Sequence, residues 1–284
     1  DSHEDAVFAI ERSDLARCLK RVMRKGAVVP KPSFDYEENN RTWLDWHAQL
    51  LDADTKARHS AAPPQRFAQL APEQYPLVSV CIAHYERPDF IDNAILSVKA
   101  QTYPNIEVIL VDDGSESAAA KAKLDEIETE FAKRGWQVVR KQNEYLGASR
   151  NTAAAHANGE YLLFMDDDNM AKPHEVERFV QVALDTGMDV LTCFSDSFAN
   201  EDNSYPPTPI ARITPLGPDP AFGMFRNGFG DSNCFVSKAA FDALGGFTEH
   251  YRVGRDDQEF FARAVLRCYR LEVLPEPLFW YRTN

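Results

Sequence analysis

The chain has 284 residues, 44% of them hydrophobic, and its 31 basic and 44 acidic residues give a formal charge of −13. Such a composition belongs to an ordinary globular protein, and the acidic balance argues against a chain that grips nucleic acid through a basic footprint. No apolar run approaches the ~20 residues of a membrane-spanning helix. Five scattered cysteines without a CxxC pair (Cys18, Cys81, Cys193, Cys234, Cys268) read as reduced thiols of a cytosolic protein.

The first 60 residues form an expected appendage. Ala6 to Ile10 suggests a short strand, Ser13 could cap a helix carrying Leu15, Leu19, Val22 and Met23, and a second helix carries Trp43, Trp46, Leu50 and Leu51. Residues 61–76 are rich in alanine and proline and read as a linker to a domain spanning 77–284. From Leu77 strands and helices alternate. Leu77–Ala83 is a continuous apolar run, as in a strand buried on both faces. Pro88 opens a helix with Ile91, Ala94, Ile95 and Val98 on one side. Ile106–Val111 is the next strand, a helix bearing Leu124, Ile127 and Phe131 follows, and Val138–Val139 is a short strand. Gly147 to His156 reads as a helix, Tyr161–Met165 as a strand, the segment from Pro173 as a helix, and Asp189–Phe194 as another strand. This alternation predicts an α/β fold with a mostly parallel sheet flanked by helices. Residues 200–220 hold six prolines and are expected as one long irregular loop.

Ligands of open α/β sheets bind at the carboxyl ends of the strands. Here those ends carry Asp112-Asp113-Gly114-Ser115 and Asp166-Asp167-Asp168-Asn169. Clustered carboxylates repel each other unless something cationic offsets the cost, and a divalent metal completed by substrate phosphates would do so. Short loops also favour aspartate for turns and caps, which leaves Asp112-Asp113 open to a bland explanation. Asp256-x-x-Glu259 fits a capping box, leaving Asp257 as a spare carboxylate on the face shared with Phe261, Val265 and Cys268. Asp257 could take a proton from a substrate hydroxyl, or merely favour the helix dipole. Phe229-Gly230-Asp231 precedes the expected strand Asn233–Val236 and could line a ligand site or form an ordinary glycine turn. Trp280 and Tyr281 could stack on a sugar ring, although core packing is the stronger expectation, and His250 is expected at the surface.

The ordered series Val78-Ser79-Val80-Cys81-Ile82, Arg87-Pro88, Val111-Asp112-Asp113-Gly114-Ser115, Gly147-Ala148-Ser149-Arg150-Asn151, Phe164-Met165-Asp166-Asp167-Asp168, Gly245-Gly246-Phe247 and Asp256-Asp257-Gln258-Glu259-Phe260 resembles the family-2 inverting glycosyltransferases of the GT-A fold. The resemblance covers roughly residues 77 to 281. It implies transfer of a sugar from a nucleotide-sugar donor, a UDP-sugar, to a glycan hydroxyl, in surface polysaccharide synthesis. It implies that Ala83, Tyr85, Arg87, Asp112, Asp113, Arg150, Asp166 and Asp167 line the donor site, and that Asp168 and Asp166 hold manganese or magnesium. It makes Asp257 the catalytic base and places Gly230, Asp231 and Asp256 beside the acceptor. The sequence departs from the family at His84, where threonine is usual, and at Ala83, where proline is common. The family often completes its metal site with a histidine beyond the last strand; here the chain reads Tyr281-Arg282-Thr283-Asn284.

The segment from Asp5 to Gly26 is similar to the closing segment of a GT-B glycosyltransferase domain. With the missing initiator methionine, this suggests excision from a polypeptide carrying an upstream transferase. The expected location is cytoplasmic, with a peripheral seat at the inner face of the membrane. A catalytically silent nucleotide- or glycan-binding module of the same fold is the alternative. Nucleotidyl transfer would want a glycine-rich loop where the chain has Ala83-His84-Tyr85-Glu86-Arg87, and an aspartyl phosphatase would want DxDxT.

Overall fold

The computed structural model describes residues 67–223, 226–249 and 255–283. The expected appendage, Cys18, His250 and Asn284 lie outside the described residues. Nine strands form one sheet: β1 (Val78–His84), β2 (Ile106–Asp112), β3 (Gln137–Arg140), β4 (Tyr161–Asp166), β5 (Met170–Ala171), β6 (Val190–Ala199), β7 (Pro209–Ile213), β8 (Phe235–Ser237) and β9 (Leu271–Thr283). Their order is β3-β2-β1-β4-β8-β6-β9-β5, with β7 pairing β6. β3, β2, β1 and β4 are mutually parallel, as are β6 and β9. β8 runs antiparallel to both β4 and β6 and joins the two parallel parts.

The helices are α1 (Ile91–Lys99), α2 (Ala118–Ala132), α3 (Tyr145–His156), α4 (Glu175–Thr186), α5 (Lys238–Leu244) and α6 (Asp256–Leu266). They cover both faces, which explains why the first strands are apolar without alternation. Val80, Ile82, Val108, Leu110, Leu163 and Met165 pack into one core with the apolar faces of α1, α2 and α4. Cys81, Ile109, Val111, Leu162 and Phe164 face the other way, into a core completed by α3, α5 and α6. Burying a side chain of this size contributes about 1.5–3 kcal/mol, so each such strand anchors two cores at once.

Several expectations are corrected. The proline-rich stretch contains β7, an exposed strand that pairs antiparallel with β6. Proline tolerates this place because an edge strand needs fewer ladder donors. A two-residue strand, β5, intervenes before α4, which starts at Glu175. The strand expected over Asn233–Val236 is β8, beginning at Phe235, and β6 runs on to Ala199. Phe67 stacks on Tyr75 and Tyr75 on Tyr103, with centroids 4.9 and 5.5 Å apart. Cys81, Cys193 and Cys234 are free thiols, all three buried.

Candidate functional site

The parallel register sets the site. His84 at the end of β1 is level with Asp112 of β2, and Ala83 with Asp166 of β4. Asp112 and Asp166 therefore flank β1 about 10 Å apart, two strand spacings. Beyond β2 the chain turns through Gly114 at φ +82°, where a Cβ would lie 2.7 Å from the amide nitrogen of Asn143. Only glycine takes that path without strain. Asp112 Oδ1 accepts from the Ser115 amide at 3.1 Å. Asp113 accepts the amide N–H groups of Glu144 and Tyr145 at 3.0 and 2.9 Å, so its carboxylate caps the start of α3. A cavity of about 640 Å³ opens beside Asp112, lined also by Ser115, Lys121, Arg140 and Lys141.

The three aspartates after β4 are placed differently from one another. Asp166 accepts from Arg150 Nη2 at 2.6 Å. Asp167 is fully buried, with His84 Nδ1 at 2.7 Å on one oxygen and Arg87 Nη2 at 2.5 Å on the other. Asp168 meets Arg87 Nη1 at 2.5 Å. Burial, with the like charges of Asp166 and Asp167, pushes the Asp168 carboxyl up to about 6 despite Arg87. Tyr85, the residue after His84, is exposed.

Arg150 is the joint of the site. Its buried guanidinium reaches Asp256 at 2.5 Å, Asp166 at 2.6 Å and the Ser232 hydroxyl at 2.7 Å, and it lies 5.4 Å from the Phe247 ring centroid. It ties the end of β4 to the start of α6 and to the segment before β8. Gly147 lets α3 approach closely enough for this, since a Cβ there would meet the Thr248 carbonyl at 2.1 Å. Asn151 locks the same contact by bonding both backbone groups of Phe247, at 2.8 and 2.9 Å.

The capping box expected at Asp256 and Glu259 does not form. Arg255 is the residue before the helix, without a side-chain cap, while Asp256 is drawn to Arg150 and Glu259 to Arg263 at 2.6 and 2.8 Å. A carboxylate cap bond meets only an amide dipole whereas a guanidinium offers a full positive charge, so the arginines win. Asp257 accepts from Asn227 Nδ2 at 2.8 Å and from the Gln258 amide at 2.7 Å. Burial first, then Asp256 and Asp166, raise its carboxyl above the usual range. Asp231 is pushed up to about 7 by burial and by Asp166 and Asp257. Gly230 and Asp231 line a cavity of about 790 Å³ with Arg226, Asn227 and Tyr281. Tyr281 packs against the first core and also borders this cavity, and Trp280 takes the Lys172 ammonium 5.3 Å from its ring centroid.

Sequence reasoning missed His84 as the partner of Asp167, and it missed Asn151, Asn227 and Ser232. Only Asn151 carried a signal, its place beside Arg150. Among the described residues no group of three His, Cys, Asp or Glu side chains is ready-made for a metal. Asp166 and Asp168 nevertheless suit a cation that draws its remaining ligands from phosphate and water: both are carboxylates, and Asp168 is held in a buried turn beside the like charges of Asp166 and Asp167. No helix among the described residues is long and apolar enough to cross a membrane.

The model of the family Glycosyl transferase family 2 matches residues 79–243. EpsH of Bacillus subtilis (strain 168), named as a glycosyltransferase, is 34% identical over 42% of this chain and 33% of its own length. EpsE of the same organism, also so named, is 26% identical over 74% of each chain. The chain spans about a third of the length of the first relatives it matches. Among solved structures, Staphylococcus aureus TarS 1–349 in complex with UDP superposes with a TM-score of 0.57 at 19% identity, over 73% of this chain and 61% of that one. A mannosyltransferase of Pyrobaculum calidifontis, in complex with GDP-Man and Mn2+, gives 0.57 at 16% identity, over 97% and 67%. These two likenesses concern the GT-A-like fold.

Proposed function

This chain belongs to glycosyl transferase family 2 and is a glycosyltransferase; on that premise we propose that it transfers a sugar, with inversion, from a UDP-sugar to a glycan hydroxyl in surface polysaccharide synthesis. The observation that carries the reading is the Arg150 joint. It brings the end of β4, with Asp166, against the start of α6, with Asp256 and its neighbour Asp257. A donor seated at the strand ends would therefore lie beside a carboxylate of raised proton affinity. The TarS complex with UDP supports the choice of donor by analogy of fold.

In this reading Ala83, Tyr85, Arg87 and Asp112 border the nucleoside. Asp113 and Asp167 act from within, the first by capping α3 and the second by anchoring Arg87 and the β4 turn. Asp166 and Asp168 would hold manganese or magnesium, which supplies Lewis-acid stabilisation to the departing diphosphate. Arg87 and Arg150 place positive charge on either side of the same turn. Asp257 accepts the proton of the attacking hydroxyl. Asn227 and the Gln258 amide orient its two oxygens, and its raised proton affinity suits a general base. Asp231 and Gly230 border the acceptor, and Asp256 keeps Arg150 in place.

A panel of nucleotide sugars, each with manganese, tests the proposal through release of the nucleoside diphosphate. UDP and manganese should together raise the melting temperature, and Asp168→Ala should abolish the metal's share. A protein that no nucleoside diphosphate plus manganese stabilises would sink the reading.

A further inference from the structure

Glu175, the first residue of α4, is completely buried. Its Oε1 accepts from Asn233 Nδ2 at 2.6 Å, and its Oε2 has no partner. Asn233 is as deeply buried, and its Oδ1 is also without a partner. The one cation that favours an anion at Glu175 is Lys172, and it has another partner. Lys172 commits its ammonium to Asp196 at 2.6 Å, and the first-turn amide of Val176 is taken by Gln101 at 3.0 Å. The titratable groups that face Glu175 and its partner from β6 and from the segment before β8 are Cys193 and Asp231, neither a cation.

An ionised Glu175 would leave two buried acceptors, on one hydrogen-bonded pair, with no donor between them. One proton on Oε2 removes both deficits. The acid then donates to the amide oxygen while the amide donates to the acid oxygen, a closed two-bond pair. We propose that Glu175 carries this proton and, through Asn233, is a positioning residue for Asp231. Burial acts in the same direction, holding its carboxyl up at about 8.

The role given to Asp231 rests on the reading of Gly230 and Asp231 as the acceptor side. The route is short. The Asn233 backbone N–H donates to Asp231 Oδ1 at 2.9 Å, and the hydroxyl of Ser232 between them accepts from Arg150. The acid–amide pair thus sets the backbone from which Asp231 meets the cavity and Ser232 meets the joint.

The test uses neither nucleotide nor acceptor, so its failure is separate from failure of the proposed function. Glu175→Gln preserves both bonds, with its amide donating to Asn233 Oδ1; Glu175→Ala removes both. Urea unfolding is measured for the wild type and the glutamine variant between pH 5 and 8, with hydrogen exchange of amides 230–234. The sign follows from linkage. Folding raises the Glu175 pKa from its ordinary 4.5 to about 8, so the folded chain keeps a proton that the unfolded chain releases. Wild-type stability therefore falls across that window: its unfolding constant should grow about tenfold per pH unit relative to the glutamine variant, levelling off above about 8. A gap that stays constant between pH 5 and 8 would mean a Glu175 already ionised in the folded chain, and it would overturn the proposal, as would a disadvantage of the glutamine variant that widens with pH. The same comparison in an Asp231→Asn background should keep the widening gap; its disappearance would assign the titration to Asp231 instead. Amides 230–234 should stay protected in the glutamine variant and exchange at least tenfold faster in the alanine variant. Wild-type exchange in the alanine variant would end the positioning role.

Discussion

The parallel half of the sheet, β3-β2-β1-β4, and the mixed half, β8-β6-β9-β5, both border buried acids, but they satisfy them differently. Around the parallel half donors are at hand. Asp113 receives two amides of α3, Asp112 one amide of its own turn, and Asp167 a histidine and an arginine. In the region of the mixed half Glu175, Asp231 and Asp257 face few cations, and burial raises the proton affinity of all three. The first arrangement suits holding a ligand in a fixed frame. The second suits moving or storing a proton. Asp168 stands at the border, its carboxyl lifted to about 6 at the turn where a diphosphate and its cation would add charge of both signs.

Substitutions can break or sharpen this contrast. The largest effect is expected from Asp257→Asn, which should lower turnover about 10²- to 10⁴-fold while leaving the UDP-plus-manganese melting shift intact. Equal loss of both would place Asp257 in nucleotide binding. Arg150→Ala should unfold more easily by about 3 kcal/mol in urea, near the low end for a broken buried pair because Asp166 and Asp256 keep about a fifth of their surface in water. A loss below about 1 kcal/mol would show that the two regions do not depend on this joint. Ser117→Ala, which removes the α2 cap that accepts the Ala120 amide at 3.2 Å, should cost about 1 kcal/mol and leave both ligand sites alone. Arg212→Ala on exposed β7 should leave the urea midpoint almost unchanged, although its guanidinium lies 2.7 Å from Asp196.

The parallel half was the legible one. Its strands are unbroken apolar runs between turn residues, and the α1 face of Ile91, Ala94, Ile95 and Val98 is buried as its spacing predicts. The mixed half was read less well. β5 is two residues long, β7 is wholly exposed, and β9 carries two prolines, so none shows the apolar run that marks a strand buried on both faces. At the site, the aspartates after β2 and β4 and those opening α6 could be picked out as acids at element ends. The failure of the Asp256–Glu259 box could not, because it depends on Arg150, 106 positions away.

Local pattern by itself decided where the buried strands and amphipathic helices lie, since hydrophobic period and turn chemistry act over a few residues. The ordered motifs likewise decided that acid would gather at one rim of a sheet. Only the tertiary structure decided which acids remain charged and where they point. Pairs such as His84 with Asp167, Arg150 with Asp256 and Glu175 with Asn233 join residues 58 to 106 positions apart. Burial and electrostatic energy depend on distance in space, and no local window of the chain contains both partners.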